Sequence, residues 1–228
     1  MMSQNQNKES KKSGDNVRKR LLDTAEKLFS EKGFASTSIR DITREGCCNI
    51  AAVNYYFGGK DNLYLQVFRR QLDKMKKIRI KSIRDAMDNS TGPANLKKLV
   101  HSFAQVFVES LLAEEGNPQF INLVIREMLD PQLPQEMFAA DYIQPIAGAF
   151  KDALCKLCPQ LDPISAELCI HSLVGQLYQV VRATNLYRKI RQDNNPVLDV
   201  PRVIDHIVCF SVAGIRACIE EGQLNEKA

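Results

Sequence analysis

NVRKRLLDTAEKLFSEKGFASTSIRDITREGCCNIAAVNYYFGGKDNL, residues 16–63, is the stretch that decides the fold. Asp15 is a good N-cap for a helix whose apolar positions, Val17, Leu21, Leu22, Ala25, Leu28 and Phe29, recur at helical spacing up to Gly33. Thr37 is read as the cap of a short second helix with Ile39 and Ile42 facing inward. Gly46-Cys47-Cys48 makes a tight turn, Asn49 caps a third helix running to Phe57, and Gly58-Gly59 ends it. A long helix, a short helix, a tight turn and a second short helix form a helix-turn-helix pattern, which points to DNA as a partner.

The chemistry of the third helix fits that partner. Val53 and Phe57 lie four apart and should face the core with Cys48, which leaves Ile50, Asn54, Ala51 and Tyr55 on adjacent exposed rows. Alanines let a backbone approach base edges, and an Asn side chain pairs bidentately with adenine. The hydroxyls of Tyr55 and Tyr56 suit phosphate oxygens, as do the ammonium of Lys60 at a helix start and the Thr37 hydroxyl. Each has a plainer reading beside it. Asn49 is a cap or a base reader, Tyr56 is core or a phosphate contact, and Asn54 is solvated or set in the groove.

Charge divides the chain in the same place. Residues 1–84 carry 19 Lys/Arg against 9 Asp/Glu, a net of +10, and residues 85–228 carry 12 against 18, a net of −6. A basic head on an acidic body suits a module that meets a polyanion. Residues 1–15 are polar and read as a flexible basic tail, with Lys8, Lys11 and Lys12 either touching phosphate or only solubilising. Their lack of an apolar stretch gives no signal peptide, and the apolar run Ile207 to Ile215 is short of the ~20 residues of a membrane span. The expectation is a cytoplasmic protein with no membrane partner, whose seven cysteines stay reduced.

Beyond residue 60 the pattern stays helical. A helix of about Lys60–Asn89 begins with Leu63, Tyr64, Val67 and Phe68 on one face, and Gly92-Pro93 separates it from a stripe of Leu96, Leu99, Val100, Phe103, Phe107 and Leu111. Another helix follows Pro118. Gln135 to Leu157 should be kinked or broken at Pro145, and two long helices, about Pro163–Ile190 and Pro201–Glu221, complete an all-α chain of about nine helices.

The ordered set Leu28-Phe29-Ser30-Glu31-Lys32-Gly33-Phe34, Thr37-Ser38-Ile39, Asp41-Ile42 and Asn49 through Lys60 resembles the N-terminal domain of the TetR family. That family commonly has glycine where this chain has Cys47. The run Asn117-Pro118-Gln119, Arg126 to Pro131 and Gly175-Gln176 is similar to the CecR-type branch. The resemblance implies a helix-turn-helix domain at 16–62 and a helical effector-binding and dimerisation domain at 63–228. It implies that Ile50, Ala51, Ala52 and Asn54 face bases, while Thr37, Tyr55, Tyr56 and Lys60 hold phosphates.

The two last helices carry apolar stripes wider than one contact needs. Ile170, Leu173, Val174, Leu177, Val181, Ile207, Phe210 and Gly214 are the expected homodimer face, which would set two recognition helices on palindromic half-sites. A small-molecule effector is expected near Phe103, Phe107, Phe120, Met137 and Tyr142, with Arg126 and Glu127 supplying charge and His171 or Tyr178 a hydrogen bond. No metal or cofactor is expected. Cys169 and His171, two apart on a helix, point about 200° apart and do not converge on one ion. Histidines 101, 171 and 206 are scattered, and no nucleophile or phosphate loop has usable spacing, which disfavours an enzyme. The expected function is a DNA-binding repressor released by a small ligand. The alternatives are a thiol sensor working through Cys47 and Cys48, or a helical protein-binding adaptor, which would not need the basic head.

Overall fold

A computed structural model describes residues 3–88, 94–112, 120, 123, 127, 131–190 and 198–225. Among them there is no strand. The helices are α1 (Ser3–Lys32), α2 (Ile39–Glu45), α3 (Ile50–Phe57), α4 (Lys60–Met87), α5 (Ala94–Leu112), α6 (Gln135–Phe138), α7 (Gln144–Leu157), α8 (Pro163–Ile190) and α9 (Val200–Asn225), with a π-helical turn, Ala139–Ile143, between α6 and α7. The helix expected after Pro118 lies outside the described residues except at Phe120, Leu123 and Glu127, and Arg126 lies outside them too.

The chain forms two compact units, Met1–Asp73 with Asn117–Gln135, and Lys74–Gly116 with Glu136–Ala228. The first takes in more than residues 16–62. Its core joins Leu21, Ala25 and Phe29 of α1, Ile42 of α2, Val53 and Phe57 of α3, and Leu63, Val67 and Phe68 of α4, all buried. An aromatic chain runs through it. Tyr64 meets Phe29 edge-on at 5.0 Å and Phe68 at 5.1 Å, and Phe68 packs against Phe120 at 5.3 Å. Each such ring contributes roughly 1.5–3 kcal/mol by leaving water.

One expectation at the N-terminus is corrected. α1 begins at Ser3, not after Asp15, so the helix runs through the segment read as a loose tail. Propagating a helix already nucleated by a buried stripe costs far less than starting one, and Gln, Lys and Glu are good helix formers.

In the second unit α9 packs along α5 and α8, and α8 lies on α7. Phe103 and Phe107 of α5, Phe150 and Leu154 of α7, Leu173 and Leu177 of α8 and Ile204 and Val208 of α9 fill the middle. As expected, the stretch from Gln135 to Leu157 is interrupted at Pro145, which sits in the first turn of α7. Pro has no N–H to offer the carbonyl four residues back, Asp141 O. The π-helical turn absorbs the misfit, with Gln144 N donating to Ala139 O, and the Lys76 ammonium donates to Asp141 O at 2.8 Å.

Candidate nucleic-acid interface

α2 is capped by Ser38, not Thr37. The Ser38 hydroxyl accepts from Asp41 N at 3.1 Å, and the Asp41 carboxylate accepts from Ser38 N and Oγ in return. These bonds from Ser38 hold the Asp41 carboxyl below its usual range. Thr37 is buried, and its hydroxyl donates to Gly33 O at 2.8 Å and Leu28 O at 3.2 Å. It ties the end of α1 to the loop and presents nothing to a phosphate.

The turn explains its own sequence. A Cβ on Gly46 would lie 3.0 Å from Ile42 O and 3.2 Å from Thr24 Oγ1, so a side chain there would crowd both neighbours. The next residue, Cys47, takes φ of 49°, the left-handed conformation glycine adopts at no cost. A side chain there costs roughly 1–2 kcal/mol, part of it recovered through the stiffer unfolded chain. Cys47→Gly is therefore expected to stabilise the protein by about 0.5–1 kcal/mol, raising the thermal midpoint by ~1–4 °C. An unchanged or lower midpoint contradicts this reading of the turn.

α3 starts with Asn49, whose side chain accepts from Ala51 N at 2.9 Å, so the capping reading holds. It ends at Gly58, with φ of 72°. Val53 and Phe57 are buried, while Ile50, Ala51, Asn54 and Tyr55 are exposed, Tyr55 at 83%. Cys48, Ala52 and Tyr56 are half-buried, so Cys48 does not join the core as expected. The Tyr56 ring stands edge-on to Tyr55 at 4.9 Å, and its hydroxyl abuts α1 beside Gly14. Together Val17, Arg20, Asn49, Ala51, Tyr55 and Tyr56 help to line an open concavity of about 500 Å³.

Lys60, the first residue of α4, sets its ammonium 4.1 Å from the centre of the Phe34 ring. That cation–π seat fixes the charge beside the α3 C-terminus without neutralising it. Arg20 lines the same concavity, and Ser38, Lys19 and Arg40 are exposed; none of the four was singled out from the sequence as a DNA contact. The run Arg18-Lys19-Arg20 at the start of the charge-rich stretch was the available signal.

The body corrects several further expectations. Ile170, Leu173, Leu177, Val181 and Ile207 are buried within the chain, and Val174 is half-buried, so these do not form an outward face. Phe210 and Gly214 do face outward, with Ile164, Leu168 and Leu186, and Phe210 is 64% exposed. A stripe that is apolar on two sides gives no hint of which side the rest of the chain covers.

Phe103, Phe107, Tyr142 and Tyr178 come together in the second unit, with Phe107 and Tyr178 edge-on at 5.1 Å and Phe103 against Phe150 at 4.7 Å. Met137 is half-buried there, and His171 is exposed and supplies nothing to that cluster. Phe120 and Glu127 belong to the first unit. Glu127 accepts from Tyr64 Oη at 2.9 Å, Gln132 N at 2.6 Å and Leu133 N, which makes it a brace for its own loop.

Comparison with known proteins agrees with this geometry. Residues 21–67 match the family described as bacterial regulatory proteins, tetR family, and residues 101–214 match the tetracyclin repressor-like C-terminal domain. The chain is 30% identical over 163 residues to an HTH-type transcriptional regulator, YuxN, of Bacillus subtilis, a match covering 70% of this chain and 53% of that protein. It is 24% identical over 144 residues to the HTH-type transcriptional dual regulator CecR of Shigella flexneri, covering 58% and 60%. The chain thus spans little more than half the length of these curated relatives. A solved TetR family transcription regulator from Marinobacter aquaeolei has the same fold, with a TM-score of 0.62 at 14% identity over 90% of this chain and 97% of that one. Half of the chain is matched by the C-terminal domain alone, and the helix-turn-helix is matched separately. The chain belongs to the TetR family of bacterial regulatory proteins.

Proposed function

We propose that this protein is a homodimeric, cytoplasmic transcriptional repressor that holds a palindromic DNA operator and leaves it when a small molecule occupies the helical body. The observation that carries the DNA-binding reading is the division of α3. Val53 and Phe57 are sealed in the core, while Ala51, Asn54 and Tyr55 stand exposed and Lys60, at the start of α4, is held over the Phe34 ring. Small residues and an amide reach base edges, and the phenol and ammonium meet phosphates on either side.

Dimerisation is supported by α8 and α9. Ile164, Leu168, Leu186 and Phe210 are large apolar side chains left in water, and exposed Gly175, Ala213, Gly214 and Ala217 leave room for a close helix approach. A second copy laying the same two helices against them makes a four-helix contact. Two recognition helices then address half-sites ~34–36 Å apart or somewhat more. A ligand that favours a different spacing shifts the population away from the DNA-bound form.

The test is retardation of DNA from upstream of the protein's own gene. Specific binding that weakens steeply with salt is expected. Tyr55→Phe and Lys60→Ala should weaken binding to every sequence, and Lys60→Ala should reduce the salt slope by about one. No retardation at low salt would count against the proposal.

A further inference from the structure

Arg79 of α4 is the largest fully buried side chain among the described residues, at 2% exposure. Its surroundings are aromatic. The guanidinium carbon sits 3.8 Å from the centre of the Phe107 ring and 5.7 Å from that of Tyr142. Nη1 donates to the Tyr142 hydroxyl. Nε and Nη2 are buried and have no hydrogen-bond partner among the described residues. Arginine stays protonated in any protein environment, and a buried charge without a counter-charge is among the costliest groups a fold can contain. Burial pushes the Tyr142 phenol up to about 12 and raises that of Tyr178, so neither is a phenolate that would neutralise the cation.

The two unpaired atoms are those of one edge. Nε–H and one Nη2–H of a guanidinium point the same way and are spaced to meet both oxygens of a carboxylate. Phe107 covers the face of the group, Tyr142 holds its other end, and the free edge is what remains. A phosphate dianion would call for more than one positive charge, and among the described residues no second cation contacts these rings. A carboxylate needs only one, and Phe103, Phe107, Phe138 and Tyr178 provide an apolar setting for the body attached to it. The π-helical turn that carries Tyr142 is a further feature enriched at functional sites.

From this arrangement we infer that the effector is an organic carboxylate with an apolar body, bound bidentately by the Nε–Nη2 edge of Arg79. The inference rests on the proposal that the helical body binds an effector, and it adds the chemical class and the anchoring residue.

The full-length protein is to be titrated calorimetrically with straight-chain carboxylates from butanoate to hexadecanoate and with phenyl-substituted carboxylates, each beside its methyl ester. At least one acid is expected to bind about tenfold or more tighter than its ester, the preference of a charge-assisted pair over a neutral acceptor. Arg79→Met should reduce that preference to within about twofold. Arg79→Lys, which keeps the charge but not the two-donor edge, should fall between, and it carries the test if the Met variant does not fold. Absence of binding by any acid, or a preference that survives in Arg79→Met, overturns the inference. DNA retardation separates this inference from the one beneath it. An acid held by Arg79 that leaves DNA binding unchanged upholds the site and defeats ligand release. Release by an uncharged compound, unaffected by Arg79→Met, upholds ligand release and defeats the carboxylate site.

Discussion

Leu168→Glu and Phe210→Glu made together are expected to convert the protein from a dimer to monomers and to lower affinity for an operator by at least ~100-fold. Both side chains stand in water in the isolated chain, at 60% and 64% exposure, so glutamates there leave the fold intact. In a four-helix contact the same positions are buried from both copies, which brings four carboxylates into an apolar interface. Each uncompensated charge costs several kcal/mol, enough to dissolve an interface of ordinary strength. A monomer engages one half-site and loses the contribution of the second, hence the fall in affinity. Sedimentation checks the first effect and operator retardation the second. A double variant that remains dimeric would move the dimer face away from α8 and α9.

Glu26→Ala should destabilise the protein by about 3 kcal/mol, a fall in thermal midpoint of ~6–12 °C. Glu26 is only 4% exposed, and its carboxylate accepts from Arg70 Nη2 and from Gln71 Nε2 at 2.6 Å, which pins α1 to α4. Asp23 holds the other end of the Arg70 guanidinium at 2.6 Å. Removing Glu26 strands a half-buried cation that already has an unsatisfied Nε. The remaining Asp23 contact and the partial exposure of Arg70 place the loss toward the low end of the 3–5 kcal/mol typical of broken buried pairs. Glu26→Gln, which keeps the shape and one acceptor, should lose less. DNA binding should fail with temperature in step with the midpoint, since α1 is part of the platform under α3. A midpoint within about a degree of the wild type would contradict this account.

α3 and its caps were legible because their signals are local. Asn49 and Gly58 bracket α3 as the residue types imply, and the four-residue spacing of Val53 and Phe57 gave its buried side. What failed depends on tertiary packing. Thr37 and Ser38 are adjacent and chemically alike, and only the position of Leu28 and Gly33 decides which hydroxyl is buried and which caps. On α8, residues such as Ile170 and Leu168 are equally apolar, and the placement of α7 and α9 decides which turns inward.

Arg79 was missed for a related reason. It sits among Lys76, Lys77 and Lys81, where a solvated basic face is the natural reading. Its spacing told otherwise: Leu72, Met75, Arg79, Ile83 and Ala86 follow one helical stripe, and all five are buried. A single cation in register with an apolar stripe was the visible sign of a buried charge.

Selection of binding sites from random DNA, by the wild type and by Asn54→Ala at equal salt, shows whether the exposed row of α3 reads bases. The wild type should select a palindrome, and Asn54→Ala should lose discrimination at one position of each half-site, worth ~1–3 kcal/mol, with the rest unchanged. No selected sequence, or identical preferences for the two proteins, would show that the exposed row of α3 does not read DNA.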